Sequence, residues 1–89
     1  MQLETINQLD NMRQNMRTLM GLRGLNGVQL AAEVGIPDSY ISEILNRRRI
    51  PTTDELVGIA RGLKVSFELL VAEPAAALQM LADLSQEAH

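Results

Sequence analysis

The chain has 89 residues, 46% of them hydrophobic but only 2% aromatic, which suits one compact domain with an aliphatic, helix-favouring core. It lacks cysteine and carries a single terminal histidine, His89, so no disulfide framework, thiolate site or zinc site is expected. The net charge of −3 argues against a uniformly basic nucleic-acid binder, but the charge is unevenly placed: residues 54–89 hold six acids against Arg61 and Lys64, while Arg47, Arg48 and Arg49 stand together in the middle.

Leu3, Ile6, Leu9, Met12, Met16 and Leu19 recur at helical intervals and predict a long helix over residues 3–22, ended by Gly21 and Gly24. Glu4, Asp10, Arg13 and Arg17 interrupt that segment, and no apolar run reaches the roughly 18 residues of a membrane span, so a soluble cytoplasmic protein is expected. Methionines 12, 16 and 20 read as core filling. Asn26 stands where an N-cap belongs, and Val28, Leu30, Ala31 and Val34 follow at helical spacing up to Gly35. Ile36-Pro37-Asp38 opens a third helix with Ile41, Ile44 and Leu45 as its apolar stripe.

Asn46 to Pro51 form a polar, arginine-rich loop. Thr52-Thr53-Asp54-Glu55 then resembles a capping box before Leu56, Val57, Ile59, Ala60 and Leu63. Gly62 and Lys64 close that helix, and Ser66 caps a short one through Leu70. Pro74 starts a last amphipathic helix with Ala77, Leu78, Leu81, Leu84 and Ala88 on its apolar side. There is no strand signal and no internal repeat.

Two short helices joined by a tight turn and followed by a basic loop are what is needed to lay one helix in the DNA major groove. Ala31 is small where the helices must cross, Gly35 suits a left-handed turn, and Ile41 can plug the angle between them. Leu30-Ala31, Gly35-Ile36, Ser39-Tyr40-Ile41-Ser42, Ile44-Leu45-Asn46, Arg48-Arg49 with Pro51-Thr52, and Leu63-Lys64-Val65-Ser66 are joined in one order. Over about residues 12–71 the chain thereby resembles the lambda-repressor-like, Cro and Xre family of helix-turn-helix DNA-binding domains.

The resemblance implies an all-α, compact five-helix domain over residues 1–73 plus an additional C-terminal helix and tail over 74–89, with residues 38–46 as recognition helix. It also implies base contacts from Asp38, Ser39 and Glu43, and phosphate contacts from Asn26, Gly27, Tyr40, Asn46, Arg47, Arg48 and Arg49. The chain departs from the family pattern at Gly27, where glutamine is frequent, and at Arg47, where glycine is usual. At Met20 and Leu45 the family commonly joins an arginine and a glutamate, and two apolar residues can replace such a pair without loss.

Other roles remain open for several of these residues. The arginines can form a solvated loop, Asp38 can serve the helix dipole, Glu43 can pair with Arg47 one turn on, and Tyr40 can pack its ring on the core. The last helix can pair with its own copy or fold back on the domain. The expected function is sequence-specific double-stranded DNA binding by a homodimeric repressor, with a protein-binding antitoxin or antirepressor adaptor as the alternative. No catalytic residue, cofactor, metal or membrane is expected: there is no phosphate-binding glycine loop and no carboxylate pair spaced for acid and base roles.

Overall fold

The computed structural model describes residues 3–87, with side chains over 7–85; Ala88, His89 and the side chains of Leu3 and Ile6 lie outside the described residues. The described residues form six helices and no strand: α1 (Leu3–Arg23), α2 (Gly27–Val34), α3 (Asp38–Leu45), α4 (Thr53–Gly62), α5 (Phe67–Val71) and α6 (Pro74–Glu87). The all-α expectation is met, and none of the described helices is long and apolar enough to cross a membrane.

Short-range chemistry starts the helices. Asn26 Oδ1 accepts from the Gln29 amide at 2.8 Å while Gln29 Oε1 accepts from the Asn26 amide at 2.9 Å, a reciprocal capping box. Thr52 and Glu55 repeat the arrangement at α4, and the Ser66 hydroxyl accepts from the Leu69 amide at α5. Each such cap satisfies a donor the helix itself cannot, an effect worth about 1 kcal/mol.

Left-handed residues stop them: Gly24 (φ 66°), Gly35 (φ 83°), Arg47 (φ 63°) and Lys64 (φ 61°). Around Arg47 the Arg48 amide donates to the Glu43 carbonyl at 2.8 Å and the Arg47 amide to Ile44 at 3.3 Å, the bond pair of a Schellman motif. Lys64 closes α4 in the same way through Val65 to Ala60 and Lys64 to Arg61, both 3.0 Å. Neither residue is the glycine this conformation favours.

The turn between α2 and α3 carries the expected steric set: Ala31 and Ile41 are buried, and the Gly35 amide donates back to the Ala31 carbonyl at 2.8 Å. At Gly62 a Cβ would stand 3.2 Å from both Leu30 Cδ1 and Val34 Cγ2, so glycine lets α4 cross α2 closely. Every helix contributes to one aliphatic core, from Met12, Met16 and Leu19 through Leu30, Ile41, Ile44, Ile59 and Leu63 to Leu69, Leu70 and Ala77. Burying each large member contributes about 1.5–3 kcal/mol.

Two polar side chains of α1, Arg13 and Asn15, lie inside this packing, and a third, Arg23, is half-buried at the end of that helix. Asn15, 4% exposed, donates from Nδ2 to the carbonyls of Leu69 (3.3 Å), Leu70 (2.9 Å) and Ala72 (2.8 Å), closing the end of α5. Arg23 reaches the Gly62 carbonyl and Glu33, tying the end of α1 to α4 and α2. Helix α6 folds back against α1 and α5, with Ala77 buried and Met80 and Leu81 half-buried, while Leu78 and Leu84 remain 55% and 52% exposed.

Candidate nucleic-acid interface

Helix α3 has one buried and one open face. Ile41 and Ile44 enter the core, so the helical period leaves Asp38, Ser39, Ser42 and Asn46 exposed together. They border an open cleft of ≈ 590 Å³ that also takes in Arg17, Met20 and Leu45, and Asn26, Gly27 and Val28 at the start of α2. The cleft thus gathers a helix N-terminus, a guanidinium and small hydroxyls on one surface, and free amides at a helix start attract anions. Asn26 spends its Oδ1 on the capping box and has no protein acceptor for Nδ2 among the described residues. Asn46 Nδ2 donates to the Ser42 hydroxyl at 3.3 Å.

Tyr40 and Glu43 lie on the half-buried flank, away from the cleft. Here Arg49 stacks its guanidinium 3.7 Å from the Tyr40 ring centroid and donates to Glu55 Oε2 at 2.8 Å. The arginine and the Thr52 amide hold the Glu55 carboxyl below the ordinary glutamate range, and Glu55 raises the Arg49 guanidinium in turn. Arg49 is therefore a bracket between α3 and α4. Its Nε is buried without a partner.

The other two loop arginines differ from it. Arg48 is exposed and makes no ion pair among the described residues. Arg47 does not pair with Glu43 along the helix. Its left-handed backbone carries it to α1, where Nη2 meets Asp10 Oδ1 at 3.1 Å.

Helix α1 also closes the end of α3. Arg13, 8% exposed, donates from Nε to the Ile44 carbonyl at 2.8 Å and from Nη1 to Asp10 at 3.2 Å. Arg17 donates from Nη2 to the Leu45 carbonyl at 3.0 Å. Met20 is buried and Leu45 half-buried, both bordering the cleft, so the link between α1 and α3 runs through two arginines placed earlier on α1. Sequence reasoning missed Arg13, Arg17 and Ser42. The signal for Arg13 was its place four residues after Leu9 and three before Met16, on the apolar stripe itself; Ser42 lies four residues after Asp38.

Among the described residues no group of three His, Cys, Asp or Glu side chains gathers as a metal set would. A family model described as Helix-turn-helix matches residues 16–70, more than half of the chain. No curated protein matches the sequence. Among solved structures, a hypothetical transcription factor, NHTF from Neisseria, superposes with a TM-score of 0.71 at 23% identity, covering 78% of this chain and 79% of that one. The clp gene regulator ClgR from Corynebacterium glutamicum superposes with a TM-score of 0.69 at 18% identity, covering 91% and 86%. At such identities the likeness speaks to the fold, and family match and fold agree: the chain belongs to the lambda-repressor-like helix-turn-helix family.

Proposed function

We propose that this chain is a sequence-specific, double-stranded DNA-binding transcriptional regulator of the repressor type, acting in the cytoplasm as a homodimer. The observation that carries the reading is the open face of α3, bordered on one side by the start of α2 and on the other by a loop with an unpaired arginine. In a major groove, Asp38 and Ser39 would meet base edges with Ser42 beside them, and Glu43 would reach only a flanking base. A carboxylate there can accept from the cytosine amino group. Asn26 Nδ2, the Gly27 amide, Asn46 and Arg48 suit phosphate, contacts that set register without reading sequence. Arg17 joins them from the cleft lining, whereas Tyr40 and Arg49 serve phosphate only at the edge of their own stack.

Residues 1–73 form the DNA-binding unit in this reading, and residues 74–89 add α6 and the tail after it, with the exposed Leu78 and Leu84 of α6 offering an edge to a second copy. A dimer would set two recognition helices about 34 Å apart on a palindrome and supply the affinity a single module lacks. Sedimentation of Leu78→Glu with Leu84→Glu should give a folded monomer.

Selection from a random duplex pool, followed by mobility shift across a salt series, tests the function. Enrichment of a two-fold symmetric site bound with steep salt dependence supports it. Exposed acids at Asp54, Glu68, Glu73 and Asp83 favour the protein-binding adaptor as the second reading. No enrichment and no shift at low salt would decide for that one.

A further inference from the structure

Three features at the end of α3 fall together. Arg47 holds a left-handed backbone that glycine would take without strain. Its side chain is 69% exposed at the foot of the open α3 face, yet it is turned back onto α1. Its partner there, Asp10 Oδ1, is shared with Arg13, which is buried and also anchored on the Ile44 carbonyl. One carboxylate oxygen therefore bridges a fixed arginine and a movable one.

The two bonds are not equivalent. Arg13 cannot leave without stranding a buried guanidinium and giving up its bond to the Ile44 carbonyl. Arg47 can, because an exposed ion pair competes weakly against solvent and against a polyanion. If it leaves, Asp10 remains neutralised by Arg13, so the exchange strands no charge in the protein.

We propose that Asp10 is a positioning residue that withholds Arg47 from the DNA backbone, acting as an internal stand-in for a phosphate and lowering the affinity of the surface for duplexes of any sequence. The proposal rests on the DNA-binding reading above. Arg48 is the loop arginine bound from the outset, and Arg47 is a reserve contact released when a phosphate displaces Asp10. Asp10 thereby tempers sequence-independent attraction and leaves discrimination to α3.

The test is a double-mutant cycle on a mixed-sequence duplex across a salt series, with the full chain, Asp10→Asn, Arg47→Gln, the double variant, and Arg48→Ala as reference. Asparagine keeps an acceptor for Arg13. Asp10→Asn should tighten binding about fivefold, as loss of one exposed ion pair allows, and the gain should vanish when Arg47 is glutamine. Asp10→Asn that leaves affinity unchanged or weakened, or a gain that persists in the double variant, overturns the proposal. The unmutated protein supplies an independent reading: on adding duplex, the Arg47 Nε–H resonance should shift while that of Arg13 stays. An Arg47 resonance that does not move also overturns it. If neither the parent nor any variant binds the duplex, and Arg48→Ala changes nothing, the DNA-binding reading itself has failed.

Discussion

The ends of α5 and α3 pose one problem and receive two solutions. Both are short helices whose last carbonyls need donors, and both obtain them from α1. At α5 a neutral, buried amide, Asn15, serves three carbonyls and leaves no charge behind. At α3 two guanidinia do the work, Arg17 at the surface and Arg13 buried, the buried one linked through Asp10 to a third. The neutral clamp only holds. The charged one holds and also brings positive potential beside the face expected to meet phosphates, in a chain whose net charge is −3.

Removing the clamps should break the comparison most visibly. Asn15→Leu removes the donor shared by three carbonyls, of which only Leu69 keeps a backbone partner, the Ala72 amide, and should cost about 2–4 kcal/mol in chemical denaturation, with the DNA affinity of the folded protein unchanged. Arg13→Met removes a charge-assisted bond to Ile44 and should cost about 2 kcal/mol, but here affinity should fall as well, because the end of α3 loosens. Equal effects of the two variants on binding would erase the distinction between the ends. Arg48→Ala should leave stability alone, weaken selected and mixed-sequence duplexes alike, and lower the salt slope by about one unit. A loss of selectivity at constant slope would make Arg48 a base reader.

The Glu55–Arg49 bracket sharpens the contrast through pH. A carboxyl depressed in the folded state adds stability that is present above its unfolded value and lost as pH falls through the folded one. Glu55→Gln should therefore melt below the parent at neutral pH, the two converging as pH falls below about 4; parallel curves down to strong acid would remove the pair from the account. Among the smallest effects, Lys64→Gly should gain about 0.5 kcal/mol once relief of left-handed strain is set against the freer unfolded chain. Arg47→Gly should gain less, since it also gives up Asp10.

Much of this architecture was legible because helix ends are written locally. Asn26, Thr52, Ser66, Gly24 and Gly35 occupy the cap positions their chemistry implies, and the apolar stripe of α1 is buried from Met12 to Leu19. Arg13 and Asn15 escaped notice because a polar residue within an apolar stripe does not reveal which distant carbonyl it will find. Arg47, standing where the family usually has glycine, and Lys64, expected at the close of α4, both take left-handed geometry, imposed by the packing after α3 and α4 against their own preference. At the interface, the loop arginines looked equivalent in sequence. Their separation into a bracket, a reserve and a free cation depends on Tyr40, Glu55 and Asp10, brought together only by the fold. For α6, periodicity showed a stripe in need of a partner, and Ala77, Met80 and Leu81 find it on α1 and α5.

The central claim is that the open face of α3 is where this protein meets duplex DNA, and amide chemical-shift mapping during titration with a selected duplex tests it most directly. The largest shifts should fall on Asn26, Gly27, Asp38, Ser39, Ser42, Asn46 and Arg48, with α5 and α6 little changed apart from any dimer contact. Shifts confined to the acidic surface of α4 to α6, or none at low salt, would contradict it.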